Sequence, residues 1–168
     1  NLNKIRKEVL SDSKTYVIKY GWNEKMFSKV AKNSKYDTAV VLSLFPEGYI
    51  SLIQVYLDEI NAKMTEESKK LNLIRFKVHE RIRELCILRF KIMKKEKKIV
   101  SKTFLHLLLP NNYSFSLKNL YKTVDQIWYL AGDSSTDFNF YSKRAILASI
   151  YLTTIMHFIN NENLKETI

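Results

Sequence analysis

What this chain lacks narrows what it can be. Only one of its 168 residues is cysteine, Cys86. That excludes an internal disulfide and a zinc site built on several thiolates, and it points to a reducing compartment. Cys86 stands in "RELCILRF" between apolar neighbours, which predicts a buried structural thiol. Glycine and proline number three and two, too few for the tight turns of an all-β sandwich. Acidic residues are short as well: 17 Asp/Glu face 28 Lys/Arg, a formal net charge of +11. The longest charge-free run, Ala145 to Asn161, contains Ser149, Thr153, Thr154 and His157. It falls short of the roughly 20 apolar residues a membrane span needs. A buried helix is expected there.

Catalytic signatures are also missing. There is no Gly-rich phosphate loop, no G-x-S-x-G elbow and no His-x-x-x-His pair. His79, His106 and His157 lie far apart, and none has Glu three residues before it. The paired Glu-x-x-His motif of di-iron carboxylate bundles is therefore absent. No enzyme activity, metal site or cofactor is expected.

What is present is a globular, helix-forming composition. Hydrophobic residues make up 46% of the chain and charged residues 27%, which fits one domain with a full core. Patterning predicts a helix over about Leu2 to Tyr20, with a possible break near "SDSK" and an end at Gly21. A second helix follows, capped by Asn23, with Met26, Phe27 and Val30 on one face. A short third is capped near Asp37 and stopped before Pro46. A fourth runs from about Tyr49 to Met64, with Ile50, Ile53, Leu57 and Ile60 as its stripe. Three short helices before a longer one suggest a helix-turn-helix head. Further helices are expected over about Leu73–Lys94, Val100–Leu109, Phe115–Ala131 and Thr136–Asn160. The polar stretch "MTEESKKLN" divides a head with its connecting helix, residues 1–64, from a helical bundle, residues 65–168.

Charge is uneven. Residues 1–100 hold 22 Lys/Arg against 12 Asp/Glu, whereas residues 101–168 hold 6 against 5. Between Lys69 and Lys98 the balance is 12 against 3. On a helical wheel Ile74, Val78, Ile82, Leu85 and Ile92 form one apolar stripe, and Arg89 projects onto it about 20° from Val78. A buried arginine is costly unless paired. Arg89 therefore either snorkels, the ordinary expectation, or answers an acidic group of the protein or of a ligand.

The segment "AGDSSTDFNFYSKRA", residues 131–145, concentrates polar and aromatic residues. Local rules explain most of them. Leu117, Leu120, Tyr121, Val124, Trp128 and Ala131 follow helical spacing, and Gly132 sits where a helix C-terminus takes its left-handed residue. Ser134, Ser135 and Thr136 offer N-caps, and Asp133 and Asp137 place negative charge near the next helix start. Lys143 and Arg144 can pair back onto these acids. The segment is expected to be a structural turn. Phe138, Tyr141, Ala145, Ala148, Leu152 and Ile155 form a seam on the following helix, although Ile146, Leu147, Ile150 and Tyr151 make its other sides apolar too.

Residues 123–151, "TVDQIWYLAGDSSTDFNFYSKRAILASIY", resemble the signature of the lipid-binding accessory proteins of ubiquinone biosynthesis, the Coq-nine family. That pattern is close to D-x-I-W-Y-x-A-G-D-x-S-T-D-F-N-W-Y-T-K-R-A. Phe140 stands where the family usually has Trp, and Ser142 where it usually has Thr. "GW" at Gly21 and Trp22, "LFPEG" at Leu44 to Gly48, and "ERIRELCILRF" agree more weakly. The resemblance implies an all-α, TetR-like bundle with a helix-turn-helix-like head. It implies a non-enzymatic homodimer at the membrane periphery, bacterial or on the mitochondrial matrix side. Such a protein binds isoprenoid lipid or phospholipid and presents quinone intermediates to the di-iron hydroxylase of the pathway. Asp125, Trp128, Tyr129 and Asp133 would form the hydroxylase-facing patch. Leu85, Arg89, Phe138, Tyr141, Ala145 and Leu152 would contribute to the lipid site. The family continues past the stretch matched here with a further bundle helix and an amphipathic membrane-binding helix.

The rival expectation is a TetR-type, ligand-responsive transcription regulator, because "SKYDTAVVLSLFPEGYISL" also resembles that family's recognition region. A reader helix needs side chains for base edges and phosphates. This one offers only Thr38 and Ser43 among Ala39, Val40, Val41, Leu42 and Leu44, with Glu47 where phosphate contact is expected. Poor nucleic-acid affinity follows.

Overall fold

The computed structural model describes residues 1–134 and 138–165, without the side chains of residues 138 and 162–165. Eight α-helices follow one another, and no strand occurs among the described residues. The helices are α1 (Leu2–Tyr20), α2 (Glu24–Asn33), α3 (Thr38–Leu44), α4 (Tyr49–Ser68), α5 (Val78–Lys94), α6 (Lys97–Leu107), α7 (Tyr113–Leu130) and α8 (Phe138–Lys165). The fold is all-α, with a three-helix head, and is consistent with a TetR-like bundle.

Local chemistry sets most boundaries. The Asn23 side chain accepts from the Met26 N–H at 2.8 Å and starts α2. Asp37 accepts from the Ala39 N–H at 2.7 Å and starts α3. The expected break near "SDSK" does not occur, and α1 runs through it. The buried Ser13 hydroxyl donates to the Leu10 carbonyl at 2.7 Å, so this polar residue is satisfied within the helix. At Gly48, φ is +62°, and a Cβ would stand 2.5 Å from the Glu24 carboxylate oxygens. The Glu24 carboxylate is the movable end of a side chain, so it is the positive φ that favours glycine there.

Two boundaries around the expected head–bundle division differ from the sequence pattern. Helix α4 continues to Ser68, so the division at residues 64/65 falls inside a helix. The helix expected from Leu73 instead begins at Val78, after one 3-10 turn over Leu73–Arg75. Arg81 explains this: its guanidinium donates to the carbonyls of Phe76 at 2.8 Å and Ile74 at 3.4 Å, holding them outside the helix. The Glu80 carboxylate then accepts from the Lys77 N–H at 2.8 Å. Ile74 is consequently 88% exposed, and Val78 is exposed too. The buried face of α5 is Leu85, Arg89 and Met93 rather than the stripe that begins at Ile74.

The head core joins Val9, Val17, Met26, Phe27, Val41, Phe45 and Leu52 to Ile99 and Val100 of α6. Trp22 Nε1 donates to Thr103 Oγ1 at 3.0 Å, again crossing from the head to α6. Lys14 of α1 bridges Glu59 at 3.3 Å and Glu96 at 3.0 Å. A second core gathers Met64, Leu85, Val124, Ile127, Ala131 and Leu147. Helix α4 belongs to both.

Helix α8 presents a different face from the expected seam. Arg144, Leu147, Tyr151, Ile155 and Ile159 are buried, whereas Tyr141 is 66% exposed and Ala145 and Leu152 are exposed. The buried row is turned by about 60° from the expected seam, and Ile155 belongs to both. A helix that is apolar on most sides carries no hydropathy signal for its inward face. Polar anchors decide it: Arg144 reaches Asp125 and Asp133, and Tyr151 reaches Arg89. Helix α7 is similarly turned, with Thr123, Val124 and Ile127 buried while Leu117 and Tyr121 are exposed.

Candidate functional site

The end of α7 is a closed structural joint. The Gly132 N–H donates to the Tyr129 carbonyl at 3.0 Å, and the Asp133 N–H to the Trp128 carbonyl at 3.1 Å. With φ at +84° for Gly132, this is a Schellman ending. Arg81 Nη1 donates to the Ala131 carbonyl at 3.1 Å and takes another carbonyl the helix leaves open. Arg144 then ties α8 to α7, reaching Asp125 at 2.8 Å and Asp133 at 3.2 Å. Lys143 meets Asp133 at 3.2 Å. The side chains of Arg144 and Asp133 are 4% and 6% exposed. Asp133 is therefore spent on the joint, and a partner could use it only by breaking these pairs. Ser135, Thr136 and Asp137, expected in the same turn, lie outside the described residues.

The four residues expected to form a partner patch separate in the structure. Tyr129 is 76% exposed. Trp128 is half-buried against the second core, and its indole N–H is buried without an acceptor among the described residues. Lys143 Nζ lies 5.5 Å from its ring centroid. Asp125 remains partly accessible beside Arg144. Tyr129, with Asp125 near it, is what this surface offers a partner.

The residues expected at a lipid site separate as well. Leu85 is sealed in the second core, and Tyr141 and Ala145 face outward. The side chain of Phe138 lies outside the described residues. Arg89 and Leu152, however, line one cavity of about 350 Å³ between α4, α6, α7 and α8. Its walls are mostly apolar, with Leu57, Phe104, Leu107, Leu120 and Ile155 inside and Leu108, Tyr113, Leu117 and Met156 at exposed positions. The size falls in the range of small-molecule and cofactor sites, about 300–1,000 Å³.

Arg89 does not snorkel. It is 1% exposed, and three other helices hold its guanidinium. Nε donates to the Tyr151 hydroxyl at 2.6 Å, Nη1 to Asn61 Oδ1 at 2.6 Å and Nη2 to Thr123 Oγ1 at 3.4 Å. Burial pushes the Tyr151 phenol up, although the Arg89 charge pulls the other way. Neither Asn61, Thr123 nor Tyr151 was legible as a site residue. Asn61 carried the only local hint, a polar residue one position past the apolar stripe of α4.

A second, shallower groove of about 620 Å³ runs between α5 and α8, with Ile87, Phe90, Leu147 and Ile150 as its apolar floor and Arg83, Lys91 and Lys94 on its edge. Cys86 lines it, half-buried, and burial pushes its thiol up. On the head, Thr38, Ala39, Val40, Leu42 and Ser43 are the exposed residues of α3. That outward face holds no Lys or Arg. Among the described residues no three His, Cys, Asp or Glu side chains gather to hold a metal ion. No single helix among them is long and apolar enough to cross a membrane.

A family model described as COQ9 matches residues 113–167, the length of α7 and α8. Ubiquinone biosynthesis protein COQ9, mitochondrial, of Bos taurus is 30% identical over 157 residues, covering 89% of this chain and 49% of its own length. The Homo sapiens protein of the same name is 29% identical with the same coverage. Probable ubiquinone biosynthesis protein coq9, mitochondrial, of Dictyostelium discoideum is 26% identical over 166 residues, or 95% of this chain and 54% of its own. The chain thus spans about half the length of the curated relatives it matches. The signature around the Gly132 joint and the relatives aligned over most of its helices support the COQ9 family as the one this chain resembles.

Proposed function

We propose that this protein serves ubiquinone biosynthesis as a non-enzymatic lipid-binding accessory protein. In this reading it holds isoprenoid quinone intermediates and presents them to the di-iron demethoxyubiquinone hydroxylase. The observation that carries it is the apolar cavity bounded by α4, α6, α7 and α8, in a chain whose relatives are named for that pathway. An isoprenoid tail needs apolar walls, and burying it there removes apolar surface from water at about 25 cal/mol per Å². Tyr129, exposed at the end of α7, is the candidate anchor for the hydroxylase, because an accessible tyrosine beside a partly apolar surface has hot-spot chemistry. The relatives are named as mitochondrial proteins, and in this reading the protein works at the membrane periphery on the matrix side. The apolar groove between α5 and α8 is where a homodimer contact or a further helix would sit.

Native mass spectrometry of the purified protein tests the lipid reading. Co-purifying isoprenoid or phospholipid is expected, together with a rise in melting temperature on adding a quinone analogue. Neither signal appearing would sink it. Tyr129→Ala tests the partner reading. At such an exposed position the change should alter stability by no more than about 0.5 kcal/mol. Loss of a hot spot worth about 2 kcal/mol should weaken hydroxylase binding roughly 30-fold. Unchanged affinity would place the partner surface elsewhere.

A further inference from the structure

We propose that Arg89 and Tyr151, with Asn61 and Thr123 holding the guanidinium in place, form an anchor for an anionic oxygen head group, a carboxylate or a phosphate, on an amphiphile that enters the cavity head first. The proposal rests on the cavity's being a lipid site and adds the chemistry and orientation of what it takes. Arg89 is 1% exposed and makes no ion pair among the described residues. All three of its hydrogen-bond partners are neutral. A buried guanidinium held only by neutral groups is an uncompensated charge, which is costly to keep from water. Tyr151 does not supply the missing negative charge, since burial keeps its phenol protonated at neutral pH.

Donors are in excess as well. A guanidinium carries five N–H groups, and three hydrogen bonds leave two of them over. The Tyr151 oxygen accepts from Arg89, and its own proton has no acceptor among the described residues. The group thus offers several donors and a net positive charge, the complement of a carboxylate or phosphate taken bidentately. Water could satisfy the donors but not the charge. The direction of entry follows from exposure. Arg89 and Tyr151 are buried, while the apolar lining residues Leu117 and Met156 are exposed. Polar depth below an apolar mouth seats a head inward and leaves the tail at the opening.

Isothermal titration of the full chain with decanoate, decyl phosphate and decanol, each below its micelle concentration, tests this. The anionic amphiphiles should bind about tenfold or more tighter than decanol. Tyr151→Phe should erode that preference, and Arg89→Gln should abolish it while decanol still binds. Arg89→Lys should keep part of it. The ranking on the unaltered protein stands even if an Arg89 variant fails to fold. Equal binding of decanoate and decanol overturns the anchor and leaves the lipid cavity standing. No binding by any of the three overturns both. Acetate or inorganic phosphate binding as tightly as the amphiphiles also overturns the proposal, because it reveals a site for a free anion.

Discussion

Replacing Arg144 with methionine should loosen the joint between α7 and α8. Arg144 and Asp133 face each other at 3.2 Å with side chains 4% and 6% exposed. Removing one member of a buried pair costs about 3–5 kcal/mol, and Asp133 keeps Lys143 at 3.2 Å, which puts the expected loss at the low end. The contact with Asp125, at 2.8 Å, is more exposed on the carboxylate side and adds at most about 1 kcal/mol. For a chain of this size each kcal/mol lowers the melting midpoint by roughly 2–4 °C. A loss near 3 kcal/mol should therefore lower it by about 6–12 °C. Urea denaturation of Arg144→Met, Asp133→Asn and the double variant separates the pair from its surroundings. A coupling energy of about 2 kcal/mol is expected, since the two groups share one buried contact. Coupling below about 0.5 kcal/mol would refute the reasoning and show that each group is held by other neighbours.

Two further outcomes follow from the geometry. Gly132→Ala should cost about 1–2 kcal/mol in thermal melts, because φ is +84° and the new Cβ would stand 3.3 Å from Arg81 Nη1. A neutral or stabilising result would mean that the turn relaxes elsewhere. His106 packs against Tyr49, and burial lowers its pKa below the usual 6.5. The unfolded chain then binds the proton first, so stability present above about 6.5 is lost as pH falls through and below that value. His106→Phe should remove that acid step, and a urea midpoint with the same pH profile in both proteins would refute the assignment.

Helix ends were legible wherever their chemistry is local. Asn23, Asp37 and Gly132 each act within four residues of their own position, so spacing alone identifies them. The pairing of Lys143 and Arg144 with Asp133 was readable as well, because the acid stands 10 and 11 residues before them across a single turn. The start of α5 was not readable. Periodicity runs back to Ile74, but the Arg81 side chain captures the carbonyls of Ile74 and Phe76 and keeps that turn out of the helix. The lipid site was only half readable. Arg89 stood out as a cation on an apolar stripe, yet Tyr141 and Ala145 were placed inward on a helix whose hydropathy has no clear direction.

The sequence by itself determined the all-α class, the capped helices of the head, the turn at Gly132 and the family signature around it. Each depends on residues close together in the chain, where backbone geometry leaves few alternatives. Tertiary structure alone decided which side of α8 faces inward, that Arg89 is buried, and that Asn61, Thr123 and Tyr151 surround it. Those groups lie 28, 34 and 62 residues from Arg89 along the chain. Their meeting depends on how α4, α5, α7 and α8 pack, and the cavity beside them exists only once all the walls are in place.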